Sequence, residues 1–345
     1  MRNNIHLYRN KYILLFILPG AILIFMILNI SFGSVHIPIR EIWKLITGES
    51  NNIIYTNIII KSRIPQTITA CLAGSALAVS GLILQTMFKN PLAGPSVLGI
   101  NSGASLGVAL VTLFFTGTYQ ISSHGNMMHL SSLLAAFLGA FLIMLVILFM
   151  AAKVKNNAML LIIGLMVGYI TSSLVSVLKY YSMQENIHAF VMWGLGSFSN
   201  TSWLDMRLFI PIILSGLLLS LFAVKSLNML NLGERYAQNL GLNVKTSRFF
   251  IIFITSILAS VITAFCGPIA FLGLAVPHIS RLLSHSTDHK VLIPHTMLTG
   301  AMLALLCNLL ARMPWTDYTL PINAVTSIFG APVVIYIILK KRNLL

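Results

Sequence analysis

The chain has 345 residues, of which 57% are hydrophobic and only 8% charged, and it carries a formal net charge of +15. A soluble protein needs roughly 25% charged residues to face water, so a soluble globular domain is excluded and the surface must face lipid. In a soluble chain the basic excess would suggest nucleic acid, but here Lys and Arg stand in short clusters between apolar runs, as residues that set membrane orientation do; no nucleic-acid partner is expected.

Apolar length and the polar breaks predict an all-α integral membrane protein. Ten transmembrane helices are expected at about 12–32, 64–86, 96–115, 131–152, 158–179, 207–226, 248–266, 268–283, 291–311 and 322–339, in a single transmembrane domain covering 1–345. Arg2, Arg9 and Lys11 precede an apolar run from Tyr12 to Ser31 that is too long for a signal-peptide core and has no A-x-A site after it, so it reads as a retained first span. With the N-terminus in the cytoplasm, 15 of the 22 basic residues fall inside and 7 outside. That excess places both termini in the cytoplasm, which requires an even number of spans.

The first outer loop, about 33–63, holds Ile39, Ile42, Trp43 and Ile46 after Pro38. This spacing predicts a short amphipathic helix, lying on the membrane surface or packed over the span ends. Gly99, Gly103 and Gly107 recur every four residues, as do Gly164 and Gly168, a pattern that lets helix backbones approach closely. The second outer loop, about 180–206, carries Tyr180, Tyr181, Trp193, Phe198 and Trp203, which fit an interfacial aromatic belt. The connection at about 227–247 is too polar to span and is punctuated by Gly233 and Gly241. Two short cytoplasmic helices, able to dock in a groove of a soluble partner, are expected there.

The spans hold little chemistry. All seven acidic residues fall in loops or at span ends, which counts against proton- or sodium-coupled transport and against intramembrane proteolysis. His278, His285, His289 and His295 follow no H-E-x-x-H pattern and read as solvated loop histidines. Cys71, Cys266 and Cys307 have no metal-ligand spacing and read as small buried residues. No G-x-x-x-x-G-K-[ST] occurs, so any ATP used must be bound by another chain.

From Arg63 the chain reads RIPQTITACLAGSALAVSGLILQTMFKNPLAGPSVLGINSGASLG. Later come Trp193-Gly194-x-Gly196-Ser197, Leu232-Gly233-Glu234 with Ala237 and Leu240-Gly241, and Gly267-Pro268-Ile269-x-Phe271-x-Gly273-Leu274-x-x-Pro277-His278-x-x-Arg281. Asp288-His289-Lys290, Ala311-Arg312, Leu320-Pro321 and Gly330-Ala331-Pro332 complete the series. In these blocks the sequence resembles the FecCD family, the permease subunits of bacterial ABC importers for iron-siderophore, haem and cobalamin. The resemblance implies a ten-span permease of the bacterial inner membrane that works as a dimer, with a second copy or a similar subunit. An ABC ATPase dimer, which would bind ATP and Mg2+, and an extracytoplasmic substrate-binding protein are its implied partners beside membrane lipid. The chain itself is then no enzyme and binds no cofactor.

Carried onto this sequence, Leu232, Gly233, Glu234, Ala237, Gln238, Leu240 and Gly241 form the segment that couples to the ATPase. Arg63 and Arg312 match arginines that pair with acidic residues of the binding protein, although snorkelling to the membrane interface is the alternative reading for them. Gln85, Asn90, Pro91, Gly99 and Gly103 are candidates for the translocation path. The cargo implied is an iron chelate; cobalamin or a molybdate-type oxyanion is the alternative within the family, and an ion-coupled secondary transporter is the alternative outside it. This chain departs from the family pattern at Gln66, where a second arginine is frequent, at Asn308, where aspartate is frequent, and at Thr319 and Asn323, where glutamate and glycine are frequent.

Overall fold

The computed structural model describes residues 2–33, 35, 37–48, 52–115, 125–154, 157–312 and 319–342, all helix or connection. The chain runs through α1 (Arg2–Ser31), α2 (Ile39–Thr47), α3 (Ile53–Ile58), α4 (Ile64–Phe88), α5 (Ile100–Ala109), α6 (Gly125–Lys153), α7 (Asn157–Tyr180) and α8 (Gln184–Gly194). It continues through α9 (Trp203–Phe222), α10 (Val224–Leu232), α11 (Glu234–Asn239), α12 (Val244–Cys266), α13 (Leu272–Ser284), α14 (His289–Ala311) and α15 (Ile322–Arg342). Among the described residues, six helical stretches are long and apolar enough to cross a membrane: Ile53–Phe88, Leu130–Lys153, Ala158–Tyr180, Trp203–Phe222, Val244–Cys266 and His289–Ala311. Ile17–Ser31, Ile100–Phe114 and Ile322–Tyr336 are shorter apolar helices.

Helix α4 is the central post. Small residues keep it thin, and nearly all of its length is buried against α14, α12, α13 and α9. Two crossings fix its neighbours. A Cβ on Gly74 would overlap the Gly300 carbonyl of α14, and one on Gly81 would overlap the Gly273 carbonyl of α13. Apolar lipid offers little drive for helices to associate, so backbone contact of this kind supplies the packing. The outer helices show the reverse pattern. Leu130, Leu134, Leu138 and Leu142 form an exposed apolar stripe on α6, and Ile162, Met166, Ile170 and Leu174 form one on α7, each at the four-residue spacing of one helix face.

Three differences from the sequence-based expectations have local causes. The connection expected at 33–63 is shorter, because the helical stretch of α4 begins eleven residues earlier, at Ile53. Asn52 caps it, its Oδ1 accepting from the N–H groups of Ile54 and Tyr55, and a π-helical turn at Ile59–Arg63 joins α3 to α4 without a break. The second outer connection contains a helix, α8, and its aromatic residues divide. Tyr180 and Tyr181 are exposed, whereas Phe198 is buried and Trp193 packs against the core. The reading of all four histidines as solvated is wrong for His278, His289 and His295, which are buried; His285 alone is exposed. Cys266 and Cys307 are buried, Cys71 is half-buried, and all three are free thiols. The amphipathic helix after Pro38 is α2, and the two short helices around Gly233 are α10 and α11.

Candidate functional site

The residues expected to couple to an ATPase lie at one end of α4. Helix α10 stops because Gly233 takes φ 121°, open to glycine and rarely to L side chains, and α11 then turns away. Two anchors hold α11 to the body. Ala237 is fully buried, and Glu234 pairs with Arg248 Nη2 of α12 at 2.5 Å. The same Arg248 reaches the Val154 carbonyl at the end of α6 at 3.5 Å. The remaining surface points outward: Leu232, Tyr236 and Leu240 are 66%, 68% and 57% exposed, and Gln238 and Gly241 are exposed beside them. Leu232 ends α10, Tyr236 lies on α11 and Leu240 follows it, so the three exposed apolar side chains stand on either side of the bend at Gly233. Tyr236 was not among the residues singled out in the sequence.

A polar strut ties α10 to the core. His289 Nδ1 donates to Asn228 Oδ1 of α10 at 2.7 Å, and His289 Nε2 lies 2.9 Å from Thr86 Oγ1 of α4. Asn228 Nδ2 donates to Asp288 Oδ1 at 2.7 Å. These bonds link α10 to the ends of α4 and α14.

Gln85, Asn90 and Pro91 come together at this end, lining a cavity of about 450 Å3 with Lys89, His278, Arg281 and His289. Gly99 and Gly103 do not line it. A Cβ on Gly99 would press on the Gly164 carbonyl of α7 at 2.9 Å, and one on Gly103 would press on the Gly139 carbonyl of α6 at 2.6 Å. The structure thus places both at close helix crossings.

Arg63 and Arg312 lie at the other end of α4, about 37 Å away for a helix of this length. They are only 4% and 8% exposed. Arg63 Nη1 donates to the carbonyls of Ile30 and Ser31 at 2.6 and 2.7 Å, and its Nη2 to that of Val35. Arg312 Nη1 donates to the carbonyls of Asn29 and Phe32 at 2.7 and 3.3 Å, and its Nη2 to Gln66 Oε1. The carbonyls of Asn29, Ile30 and Ser31 belong to the last turn of α1, where the helix dipole also favours a cation. Both arginines also form part of the wall of a polar pocket of about 360 Å3 with Gln66, Asn308 and Thr319.

Three departures from the family pattern have partners. Gln66 Nε2 donates to Asn308 Oδ1 at 3.0 Å, and Asn308 Nδ2 donates to Asn29 Oδ1 at 2.7 Å. Arginine and aspartate are thus replaced together, by two amides that hydrogen-bond each other. Asn323 fastens the bend before α13: its Oδ1 accepts from the Ala270 N–H at 3.0 Å and its Nδ2 donates to the Pro268 carbonyl at 2.5 Å. The bend needs such support, because Phe271 holds φ 66°, a left-handed conformation costly for a bulky residue.

The sequence model of the FecCD transport family matches residues 21–340. The chain is 32% identical over 330 residues to the hemin transport system permease protein HmuU of Yersinia pestis, covering 94% of this chain and 96% of that protein. It is 36% identical over 281 residues to the vitamin B12 import system permease protein BtuC of Salmonella typhi, covering 81% and 83%. Among solved structures, an inward-facing ABC transporter of metal-chelate type superposes with a TM-score of 0.81 at 29% identity, covering 94% of this chain and 98% of that one.

Proposed function

The chain belongs to the FecCD transport family, and from that premise we propose that it is the permease subunit of an ATP-driven importer of iron chelates, siderophore or haem, forming the translocation path as a dimer. Permeases of this family are transport components rather than enzymes. The observation that carries the reading is the α10–α11 segment. It is anchored to the helical body by Ala237 and Glu234 while Leu232, Tyr236 and Leu240 stand exposed, the arrangement suited to a helix-in-groove contact with an ATPase. Closure of an ATP-bound ATPase pair would move α10, and the His289 strut would pass that movement to α4 and α14 as a rigid-body shift.

Ten crossings follow if the three shorter apolar helices and α13 join the six long ones. Both termini then lie in the cytoplasm of a bacterial cell, beneath the inner membrane. The binding protein would dock at the end where Arg63 and Arg312 hold the carboxyl end of α1. Gln85, Asn90 and Pro91 would lie at the cytoplasmic mouth of the path. Likeness to the haem permease favours an iron chelate, and the 36% identity to a vitamin B12 permease supports cobalamin as the second cargo. Purification of the tagged chain in mild detergent tests the assembly. A co-purifying ATPase with nucleotide hydrolysis supports it, and recovery of the chain alone, with no hydrolysis in any detergent, overturns it.

A further inference from the structure

The cavity of about 450 Å3 beside α10 is bounded by the end of α4, α13 and the first turn of α14. Lys89 and Arg281 supply two positive charges to its wall, and Asn90, Asn231 and Thr287 supply amide and hydroxyl donors. No carboxylate lines it. Among the described residues, neither cation makes an ion pair; the salt bridges are Lys44–Glu41 and Arg248–Glu234. Asp288, next in the chain to Thr287, is already engaged. Its Oδ1 accepts from the Lys290 N–H at 2.9 Å and from Asn228 Nδ2 at 2.7 Å.

Arg281 is held by neutral groups. Arg281 Nη1 donates to Gln85 Oε1 at 2.8 Å, and Gln85 Nε2 donates in turn to the Leu274 carbonyl at 3.1 Å. His278 Nε2 donates to the Pro91 carbonyl at 3.1 Å, which leaves Nδ1 as an acceptor 3.5 Å from Arg281 Nη1. Lys89 ends α4 at φ 48°, and its amine lies near Gly233, 3.6 Å from where a Cβ there would sit. The Gln85 amide oxygen orients the Arg281 charge but does not neutralise it, and two like charges sharing a partly enclosed space repel. A planar guanidinium, an ammonium point charge and amide donors are the set that grips a tetrahedral oxyanion. Two positive charges match the two negative charges of hydrogen phosphate.

We infer that this cavity is a binding site for a phosphate group. The cavity exceeds a bare phosphate, so a substituent on the phosphate is accommodated. The group comes either from a soluble phosphate compound or from a phospholipid headgroup; the recognising chemistry is the same. The inference stands on the charges of the cavity and not on the transport reading, because binding is measured on the isolated subunit.

The test follows thermal unfolding of the full-length chain in neutral detergent. Inorganic phosphate is titrated against sodium chloride at matched ionic strength, and dioctanoyl phosphatidic acid against dioctanoylglycerol. A saturable rise in midpoint is expected with at least one phosphate compound and with neither control. Lys89→Gln, at an exposed helix end, should weaken it about tenfold by removing one charge-assisted contact. Arg281→Gln should weaken it further. A rise with free phosphate assigns a soluble source, and a rise with the lipid alone assigns the bilayer. Equal shifts in phosphate and chloride, no shift with any phosphate compound, or a shift unchanged in Lys89→Gln would overturn the inference.

Discussion

Arg63 reads in the sequence as a charge offered to a partner, yet its donors face inward to the carbonyls of Ile30, Ser31 and Val35. Removing them takes three donors from the end of α1, where Arg312 still holds the carbonyls of Asn29 and Phe32. Arg63→Ala should therefore destabilise the chain by about 3 kcal/mol, since hydrogen bonds to a charged group contribute roughly 1.5–3 kcal/mol each. The measurement is thermal unfolding in detergent without any partner; an unchanged midpoint would return Arg63 to a docking role alone. At the opposite end, Asp288 is held below its ordinary value, first by the Lys290 N–H and then by the Asn228 amide. Its contribution is present above the unfolded carboxylate value and is lost as pH falls through about 4 and below. Asp288→Asn should flatten the acid limb of the unfolding curve, and an identical acid limb in the variant would show that the cap does not matter. The sequence made the types of these residues legible but not their directions. Burial of Arg63 depends on α1 ending beside it, a contact between residues more than thirty positions apart. His278, His289 and His295 were misread for the same reason, because a polar side chain near a chain break looks solvated until the neighbouring helices close over it.

Helices whose apolar runs are long and uninterrupted were legible at the element scale, and so was the short helix after Pro38. What escaped was helix in polar or mixed sequence. Ile53–Arg63 joins α4 through a π-helical turn, and Gln184–Gly194 forms a helix within a connection. In both, polar residues interrupt the apolar ones, Asn57, Lys61 and Arg63 in the first and Gln184, Glu185 and Asn186 in the second, so neither reads as part of a span. The α10–α11 segment was legible in outline because Gly233 and Gly241 mark its bends, but the division of labour within it was not. Ala237 faces the body and Tyr236 faces away. Two variants should therefore fail differently. Tyr236→Glu should weaken association with the ATPase about tenfold or more, the scale of an interface hot spot, while leaving the unfolding midpoint unchanged. Ala237→Trp should lower the midpoint as well, because no space exists beneath α11. Pull-down and unfolding measured on both variants check this; equal behaviour of the two would mean that α11 is not anchored as described.

The whole molecule is a bundle organised on α4, with small residues at its crossings and apolar stripes on its outer helices. Among the described residues, its spans hold no buried acidic residue of the kind an ion-coupled transporter uses. On the proposed reading, energy enters through an ATPase at the α10–α11 surface. The direct test is transport by the purified chain, reconstituted in proteoliposomes with its ATPase and its binding protein, supplied with an iron-siderophore or haem. The account predicts uptake that requires ATP and is lost with Tyr236→Glu. Uptake by the chain alone, driven by a proton or sodium gradient and indifferent to ATP, would contradict it.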